Sequence, residues 1–436
     1  MLTYFTHNIR QFFNALSIKN TPLAVLPYLF KWILISSILA LVIGSASALF
    51  LISLQWVTHI RTNNLNLIYA LPFVGFMIGY IYHKFGNEVE GGNNLIIKAI
   101  QDNQTKVPFI MAPLVYITTL ATHLFGGSAG REGTALQMAG GLSFPLTYLS
   151  KKLNLDQKSI LIAAVAGGFG SVFGTPIAGT FFALEFSRIG KPSYKSIFPA
   201  LSTALLSNFV TKLYPIQHTH YFIEIVPDLN LTNLGIAIIS GICFGITAFI
   251  FSSGLNRLGT FFKNKIKYPP FRPFLGGLLL VFLFKILNAT EFMGLGIPII
   301  QNAFTYQLPL YFFAYKIGFT LLTLASGFKG GEVTPLFFIG STLGNALGQY
   351  LNLPISLLAG MGFVAVFAGA ANTPIACIFM GVELFGANAL PYLAIACIVS
   401  YLTSGSTGIY KSQIISFAKN NEQEFSETTS LDNKMK

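Results

Sequence analysis

Charge is scarce in this sequence. Its 436 residues include 27 Lys or Arg and 15 Asp or Glu, 10% charged against 53% hydrophobic. Soluble domains are about a quarter charged, and so few charges cannot cover this much apolar surface in water. A soluble protein is excluded. Cysteine is equally sparse. Cys243, Cys377 and Cys397 all lie in apolar runs, so neither a disulfide framework nor a zinc site is visible. The apolar segments hold no His/Cys cluster, no clustered His/Asp pair and no nucleophile elbow. A membrane-embedded enzyme is therefore the weakest reading, and no cofactor is expected. Residues 1–31, with Arg10, Lys19, Lys31, Pro22 and Pro27, lack the small-residue cleavage site of a signal peptide. They read as a basic cytoplasmic N-terminal helix, and 411–436 as a short, polar cytoplasmic tail.

What the chain has in abundance is apolar sequence, at roughly 33–57, 66–82, 108–125, 134–149, 159–187, 194–213, 232–256, 271–289, 308–326, 334–350, 354–369, 373–385 and 388–403. The reading is an all-α, polytopic membrane protein. Several segments, such as 134–149, 334–350 and 373–385, fall short of the ~20 residues of a bilayer crossing. The 41 Gly and 20 Pro sit inside apolar segments, and Gly167-Gly168 through Pro176 interrupts one of them. Broken helices are tolerated at membrane depth where they are packed in protein or line a polar cavity, the pattern of a transporter or channel with a site near the midplane. The net charge of +12 is concentrated in connections: Lys151, Lys152 and Lys158; Arg188, Lys191 and Lys195; Arg257, Lys263, Lys265, Lys267 and Arg272. Such clusters mark cytoplasmic loops and argue against a nucleic-acid partner. The connection with His218, His220, Glu224 and Asp228 has no Lys or Arg and is expected to face outward.

The chain also repeats itself. At a shift of 200, Gly130-Arg131-Glu132-Gly133-Thr134 falls on Gly330-Gly331-Glu332-Val333-Thr334; at 198, Thr175-Pro176-Ile177-Ala178 falls on Thr373-Pro374-Ile375-Ala376. Nine residues past each proline stands a carboxylate, Glu185 and Glu383. Gly92-Asn93-Asn94-Leu95-Ile96 matches Gly294-Leu295-Gly296-Ile297-Pro298 more loosely. Matching broken helices are the trace of internal symmetry, here a first transmembrane repeat over 32–213 and a second over 214–410. The bland alternative is chance recurrence of Gly/Pro punctuation. Sequence alone leaves the relative orientation of the repeats open.

Most carboxylates are loop charges, among them Glu88, Glu90, Asp102, Asp156, Glu224, Asp228, Glu291 and the tail's Glu422, Glu424, Glu427 and Asp432. Four stand in apolar surroundings, Glu132, Glu185, Glu332 and Glu383, and an ionisable group at membrane depth is a functional candidate. Glu132 follows Gly126-Gly127-Ser128-Ala129-Gly130-Arg131 and opens a helix. Convergent glycine-loop amides and a helix N-terminus make an anion site, which the ionised carboxylate would occupy and the protonated one vacate. One side chain then serves as plug and proton carrier. A plain first-turn cap does not require so many glycines. A second glycine-rich start, Gly327–Gly331, leads through Glu332, Val333 and Thr334 into Pro335, and Gly92-Asn93-Asn94 is a third whose amides can donate to a small hard anion. Tyr410 closes the last apolar stretch, as an anion contact or as an interfacial tyrosine. Glu185 and Glu383 read first as structural acceptors at helix ends, with a secondary proton or anion path as the alternative, which also applies to Glu332.

These residues resemble the CLC family of anion channels and proton-coupled anion antiporters. The resemblance lies in GSAGREG at 127–133, GGFGSVFGTPIAGTFFALE at 167–185, GFKGGEVTPLFFIG at 327–340, TPIA…E at 373–383 and Tyr410. It implies inverted-topology halves, a homodimer with one pathway per subunit, and multi-pass insertion in the cell (plasma) membrane with both termini cytoplasmic. By resemblance Glu132 is the gating glutamate and Tyr410 the inner-gate tyrosine. Chloride members usually carry Gly-Ser-Gly-Ile-Pro where this chain has Gly92-Asn93-Asn94-Leu95-Ile96, and a Gly-x-Phe-x-Pro pattern where it has Glu332-Val333-Thr334-Pro335. Many exchangers have a second glutamate where Phe186 stands. All three departures resemble the bacterial fluoride/proton antiporter branch. The implied function is export of fluoride in exchange for inward protons, with an anion site of Gly92, Asn93, Asn94, Leu95, Ile96, Gly130, Arg131, Gly133, Val333, Thr334 and Tyr410. A chloride or nitrate exchanger and a passive anion channel are the alternatives on the same fold.

Overall fold

The computed structural model describes residues 25–102, 104–150, 155–416, 419 and 430–431. Most of the expected N-terminal helix (1–24), Lys151, Lys152 and the tail acids Glu422, Glu424, Glu427 and Asp432 lie outside the described residues.

Among the described residues the chain is almost wholly helical. The first half comprises α1 (Leu26–Asn63), α2 (Leu71–Phe85), α3 (Asn93–Gln101), α4 (Met111–Leu124) and α5 (Glu132–Leu142). It continues through α6 (Phe144–Leu149), α7 (Gln157–Phe173), α8 (Pro176–Glu185) and α9 (Ile197–Lys212). The second comprises α10 (Leu231–Lys265), α11 (Phe271–Ile286), α12 (Ile297–Asn302) and α13 (Phe312–Ser326). After these come α14 (Val333–Gly348), α15 (Ile355–Ala371), α16 (Pro374–Phe385) and α17 (Leu390–Thr403). Strand β1 (Arg188–Ile189) pairs in parallel with β2 (Ile414–Ile415) and draws the chain after Tyr410 back beside the end of α8.

Three helical stretches are long and apolar enough to cross a bilayer: α1, Leu65–Phe85 and α10. They turn large apolar side chains such as Leu34, Leu41, Leu49, Ile239 and Ile250 outward. The shorter helices α7, α14 and α15 are buried along nearly their whole length. Broken helices thus meet in the protein interior, where their freed backbone groups find partners.

The breaks have a local cause. Gly174 ends α7 with φ 76° and Asn372 ends α15 with φ 60°, both left-handed. The next residue, Thr175 (φ −122°, ψ 76°) or Thr373 (φ −130°, ψ 63°), is kept out of the helical region because it precedes proline, and Pro176 or Pro374 then opens the next helix. The segment expected at 159–187 is therefore two helices, and the break falls at Gly174. Gly167 and Gly168 do not interrupt the helix. They lie inside α7 where Cβ atoms would press on Ser207 and Ala139, a close helix approach that small residues permit. The first span begins at Leu26, and the 134–149 segment divides into α5 and α6.

The two halves embrace reciprocally. Glu185, ending α8, accepts the N–H groups of Ile375 (3.3 Å) and Ala376 (2.9 Å) at the start of α16. Glu383, near the end of α16, accepts those of Ile177 (3.0 Å) and Ala178 (2.8 Å) at the start of α8. Between them Phe181 and Phe379 stack with centroids 4.4 Å apart. A pair of contacts exchanged in this way is what a two-fold relation between halves produces, and the fold is the all-α, polytopic one expected.

Candidate functional site

Glu132 opens α5 and is fully buried. Its Oε2 accepts the backbone N–H groups of Arg131 (3.1 Å) and Thr334 (3.0 Å); its Oε1 accepts Arg131 Nε (3.3 Å) and the Thr334 hydroxyl. A simple first-turn cap would bond only its own helix. Here half of the donors belong to the start of α14, 202 residues away in sequence. The two helix starts are joined by an antiparallel bridge, with Gly130 N–H on Gly331 O (2.6 Å) and Gly331 N–H on Gly130 O (2.8 Å). A Cβ at Gly331 would lie 2.6 Å from the Gly133 nitrogen, so only glycine lets the loops approach this closely. Two positive helix ends converge on one carboxylate.

The start of α3 completes the cluster. Gly92 adopts φ 53° and ψ −128°, a conformation that disfavours any side chain, and it directs Asn93 toward Gly133, whose Cβ position lies 3.1 Å from Asn93 Nδ2. Asn94 Oδ1 accepts the Ser412 N–H at 2.9 Å and so ties the segment after Tyr410 to this loop. Leu95, Ile96 and Val333 belong to the apolar core and seat the helix starts. Tyr410 is fully buried, its ring edge-on to Phe186 (5.0 Å) and Phe182 (6.4 Å), which removes it from any interfacial belt. Phe186 thus holds the tyrosine where a second glutamate stands in many exchangers.

Two cavities border the cluster. One, of about 160 Å³, is lined by Glu90, Asn93, Gln137, Lys329, Glu332 and Tyr410. Asn93 Oδ1, Glu332 Oε2 and the Tyr410 hydroxyl are buried without a hydrogen-bond partner among the described residues. Such orphans are rare, and three around one cavity mark a place for water or an ion. The other cavity, about 570 Å³, has Arg131, Gln55, Thr58 and His218 in its wall. A constriction of about 20 Å³ lined by Arg131, Thr219, Phe337 and Thr334 continues from it toward the Glu132 carboxylate. Glu185 and Glu383 line neither cavity. No group of three or more His, Cys, Asp or Glu side chains among the described residues could hold a metal ion.

Several residues were passed over in the sequence. Lys316 is fully buried and donates to the carbonyls of Phe292 (3.1 Å) and Gly294 (2.7 Å). The Gly294 N–H in turn reaches Gly127 O at 3.1 Å, so this ammonium steadies the glycine loop ahead of Glu132. Buried Arg61 braces the same region through His123 O (3.0 Å). A lone lysine inside the apolar 308–326 run was the available signal for Lys316. Glu90 reads as a loop charge, and Lys329, between glycine-rich neighbours, carries no local signal of its own.

His218, in the connection between α9 and α10, packs its ring on Gly174, where a Cβ would meet Cδ2 at 2.8 Å. Burial, with Arg131, Lys212 and His220 adding to it, pushes this imidazole down to about 4. Unfolded, it gains a proton below about 6.5. Between about 6.5 and 4 the unfolded chain therefore binds the extra proton, and stability is lost as pH falls through that window. His218→Gln is expected to flatten the acid side of a melting-temperature profile in detergent; an unchanged slope would refute this.

An all-helical membrane fold in which broken helices aim their N-termini at one buried acid is the architecture of an anion-transport protein. The Voltage gated chloride channel family model matches residues 74–405. A chloride/fluoride channel protein of Pseudomonas syringae pv. tomato is 46% identical over 403 residues, 91% of this chain and 89% of that one. The chain belongs to this family of voltage-gated chloride channel (CLC) proteins. The H(+)/Cl(-) exchange transporter ClcA of Vibrio cholerae is 26% identical, over 72% of this chain and 70% of its own. A solved CLC-type fluoride/proton antiporter superposes with a TM-score of 0.86 at 34% identity, covering 91% of this chain and 100% of that one. A slow cyanobacterial Cl-/H+ antiporter shares the fold, with a TM-score of 0.74 at 17% identity over 86% and 94%.

Proposed function

We propose that this protein exports fluoride in exchange for inward protons. The observation that carries the reading is the Glu132 carboxylate, held by the amide and hydroxyl of Thr334 and by Arg131 where two helix starts converge. Donors placed for a carboxylate oxygen suit a small hard anion equally. The ionised side chain and fluoride compete for one berth, and protonation cancels the charge those donors hold, so the side chain leaves with its proton and the anion enters. Hydrogen fluoride crosses membranes as a neutral weak acid and dissociates in a near-neutral cytoplasm, so an exporter driven by the proton gradient reverses the accumulation.

In this scheme Thr334 and Asn93 donate to fluoride, and the Gly92, Gly130 and Gly133 backbones shape the berth. Leu95, Ile96 and Val333 hold the helix starts in place. Tyr410, with its free hydroxyl in the smaller cavity, guards that entrance. Glu332, whose free Oε2 lies 3.2 Å from the Gly133 Cβ position, offers a proton route between the smaller cavity and Glu132. Asn94 is positional, and Glu185 and Glu383 are structural, since both oxygens of each are committed to helix amides. The smaller cavity faces the cytoplasm, because its Glu90 pairs at 4.0 Å with Lys263 in the basic last turn of α10. Both termini lie on that side of the plasma membrane. The protein is a homodimer through α8, α9, α16 and α17, where Ile177, Leu205, Phe209 and Ile398 remain exposed.

The test is efflux from proteoliposomes with fluoride and proton fluxes recorded together and chloride as competitor. Fluoride efflux matched by proton uptake, and little chloride efflux, is the expected result; equal chloride flux overturns the selectivity. The relative at 46% identity bears the name of a channel, which favours a passive fluoride pore as the second reading. Fluoride efflux without proton movement would establish it.

A further inference from the structure

Lys329 stands in the glycine-rich loop ahead of α14 and lines the same cavity as Asn93, Glu332 and Tyr410. Its ammonium is seated 3.8 Å from the centroid of the Tyr82 ring. Among the described residues it makes no hydrogen bond and no ion pair. That is unusual for an ammonium in a protein-lined cavity, since Lys carries three donors and a charge that is expensive to leave unmatched. Glu90, at the rim, acts on Lys329 only through space and stands 4.0 Å from Lys263, whose own charge also reaches Lys329. A ring face holds a cation in position through its quadrupole without consuming its N–H donors. The arrangement therefore presents a fixed positive charge with free donors to a cavity whose other polar atoms are also unsatisfied.

We propose that Lys329 is a capture site for fluoride, the first anion position on the smaller-cavity side, preceding the berth at Thr334 and Glu132. This rests on the proposed fluoride transport and adds to it a residue and an order of binding. Lys329 Nζ, on its tyrosine platform, takes fluoride from water and hands it to the donors deeper in. Lys263 has an indirect part. By holding Glu90 at the rim it keeps that carboxylate from neutralising Lys329 and closing the capture site. Lys263 is thus a positioning residue, and Glu90 a built-in competitor that it restrains.

The experiment measures initial fluoride efflux against fluoride concentration on the smaller-cavity side, in proteoliposomes at low and high ionic strength, with a fluoride electrode. Lys329→Gln is expected to raise KM about tenfold at low salt, the loss of one charge-assisted contact, with the maximal rate within about twofold. Salt should weaken capture in the parent protein and have little further effect on the variant. Lys329→Arg, which keeps charge, donors and ring contact, is expected to restore most of the affinity. Lys263→Gln frees Glu90 and should raise KM as well; adding Glu90→Gln should bring it back, which a merely structural loss would not allow. The Lys263/Glu90 pair touches neither the loop nor the ring, so it decides the matter even if Lys329→Gln does not fold. A parent-like KM in Lys329→Gln, or a Lys263→Gln defect that Glu90→Gln does not rescue, overturns the proposal. If the parent protein itself moves no fluoride, the failure belongs to the proposed function.

Discussion

Glu132→Gln is expected to end proton coupling, with proton uptake falling at least about a hundredfold, the usual scale for removing an essential acid–base group. The argument is one of donors and acceptors. The carboxylate accepts from four groups, the amides of Arg131 and Thr334, Arg131 Nε and the Thr334 hydroxyl. Glutamine has the same shape but one of its two terminal atoms is a donor. The Thr334 hydroxyl can turn to accept it; the amides and the guanidinium cannot. Whichever way the amide faces, at least one donor meets a donor in a fully buried place, and that loss is of the order of 1–3 kcal/mol. The glutamine should therefore be held less firmly than the carboxylate, and the berth should be open to anions more of the time. Fluoride then passes with nothing to carry a proton back. Simultaneous fluoride and pH electrode traces decide it. Proton uptake persisting in fixed ratio to fluoride efflux would assign the proton to another group, and Glu332, in the adjoining cavity with a free oxygen, would be the next to replace.

The parts of this site that were legible in the sequence are those built from short-range chemistry. Glycine-rich loops before apolar helices announced anion-binding helix starts. The Thr-Pro recurrence announced matched breaks, and the shift of 200 residues set Gly130 on Gly330, one residue from the Gly331 to which the backbone bridge joins it. What could not be read depends on pairing across that distance. Glu185 and Glu383 looked like acids ending their own helices, yet each satisfies the start of the other's helix, a relation visible only once the halves are docked. Gly167 and Gly168 carried the composition of a break because glycine permits both a turn and a close approach, and packing against Ser207 and Ala139 selected the second. Glu90 was set aside, and Lys329 passed over, for the opposite reason. A charge beside glycine reads as a solvated loop, and nothing local reveals that the loop folds inward over Tyr82.

Gly340→Ala should be the most damaging change outside the ion pathway. An added Cβ there would stand 2.0 Å from the carbonyl oxygen of Gly362, one at Gly362 would stand 2.0 Å from that of Gly340, and one at Gly344 would stand 2.0 Å from that of Leu358. Gly340 and Gly344 are one turn apart on α14, as Leu358 and Gly362 are on α15, so the two helices touch backbone to backbone along two successive turns. In a membrane this contact replaces the hydrophobic drive that water would supply. A methyl group cannot enter without parting the helices, because backbone atoms have no rotamer to adopt, and overpacking of a core costs roughly 1–3 kcal/mol or more. The consequence reaches the site from two sides. The first turn of α14 carries Thr334, while the end of α15 holds the Tyr410 segment through Ile409 N–H on Ala370 O (2.9 Å) and Gln413 Nε2 on Ala371 O (2.9 Å). Separating α14 from α15 therefore moves one wall of the pathway relative to the other. Gly340→Ala is expected to lose most of its monodisperse yield, and whatever is purified to show fluoride efflux reduced at least about tenfold. Gly318→Ala on α13, where an added Cβ meets nothing within 4 Å, should express and transport like the parent chain. Parent-like yield and efflux from Gly340→Ala would mean that the α14–α15 contact does not set the geometry at Thr334.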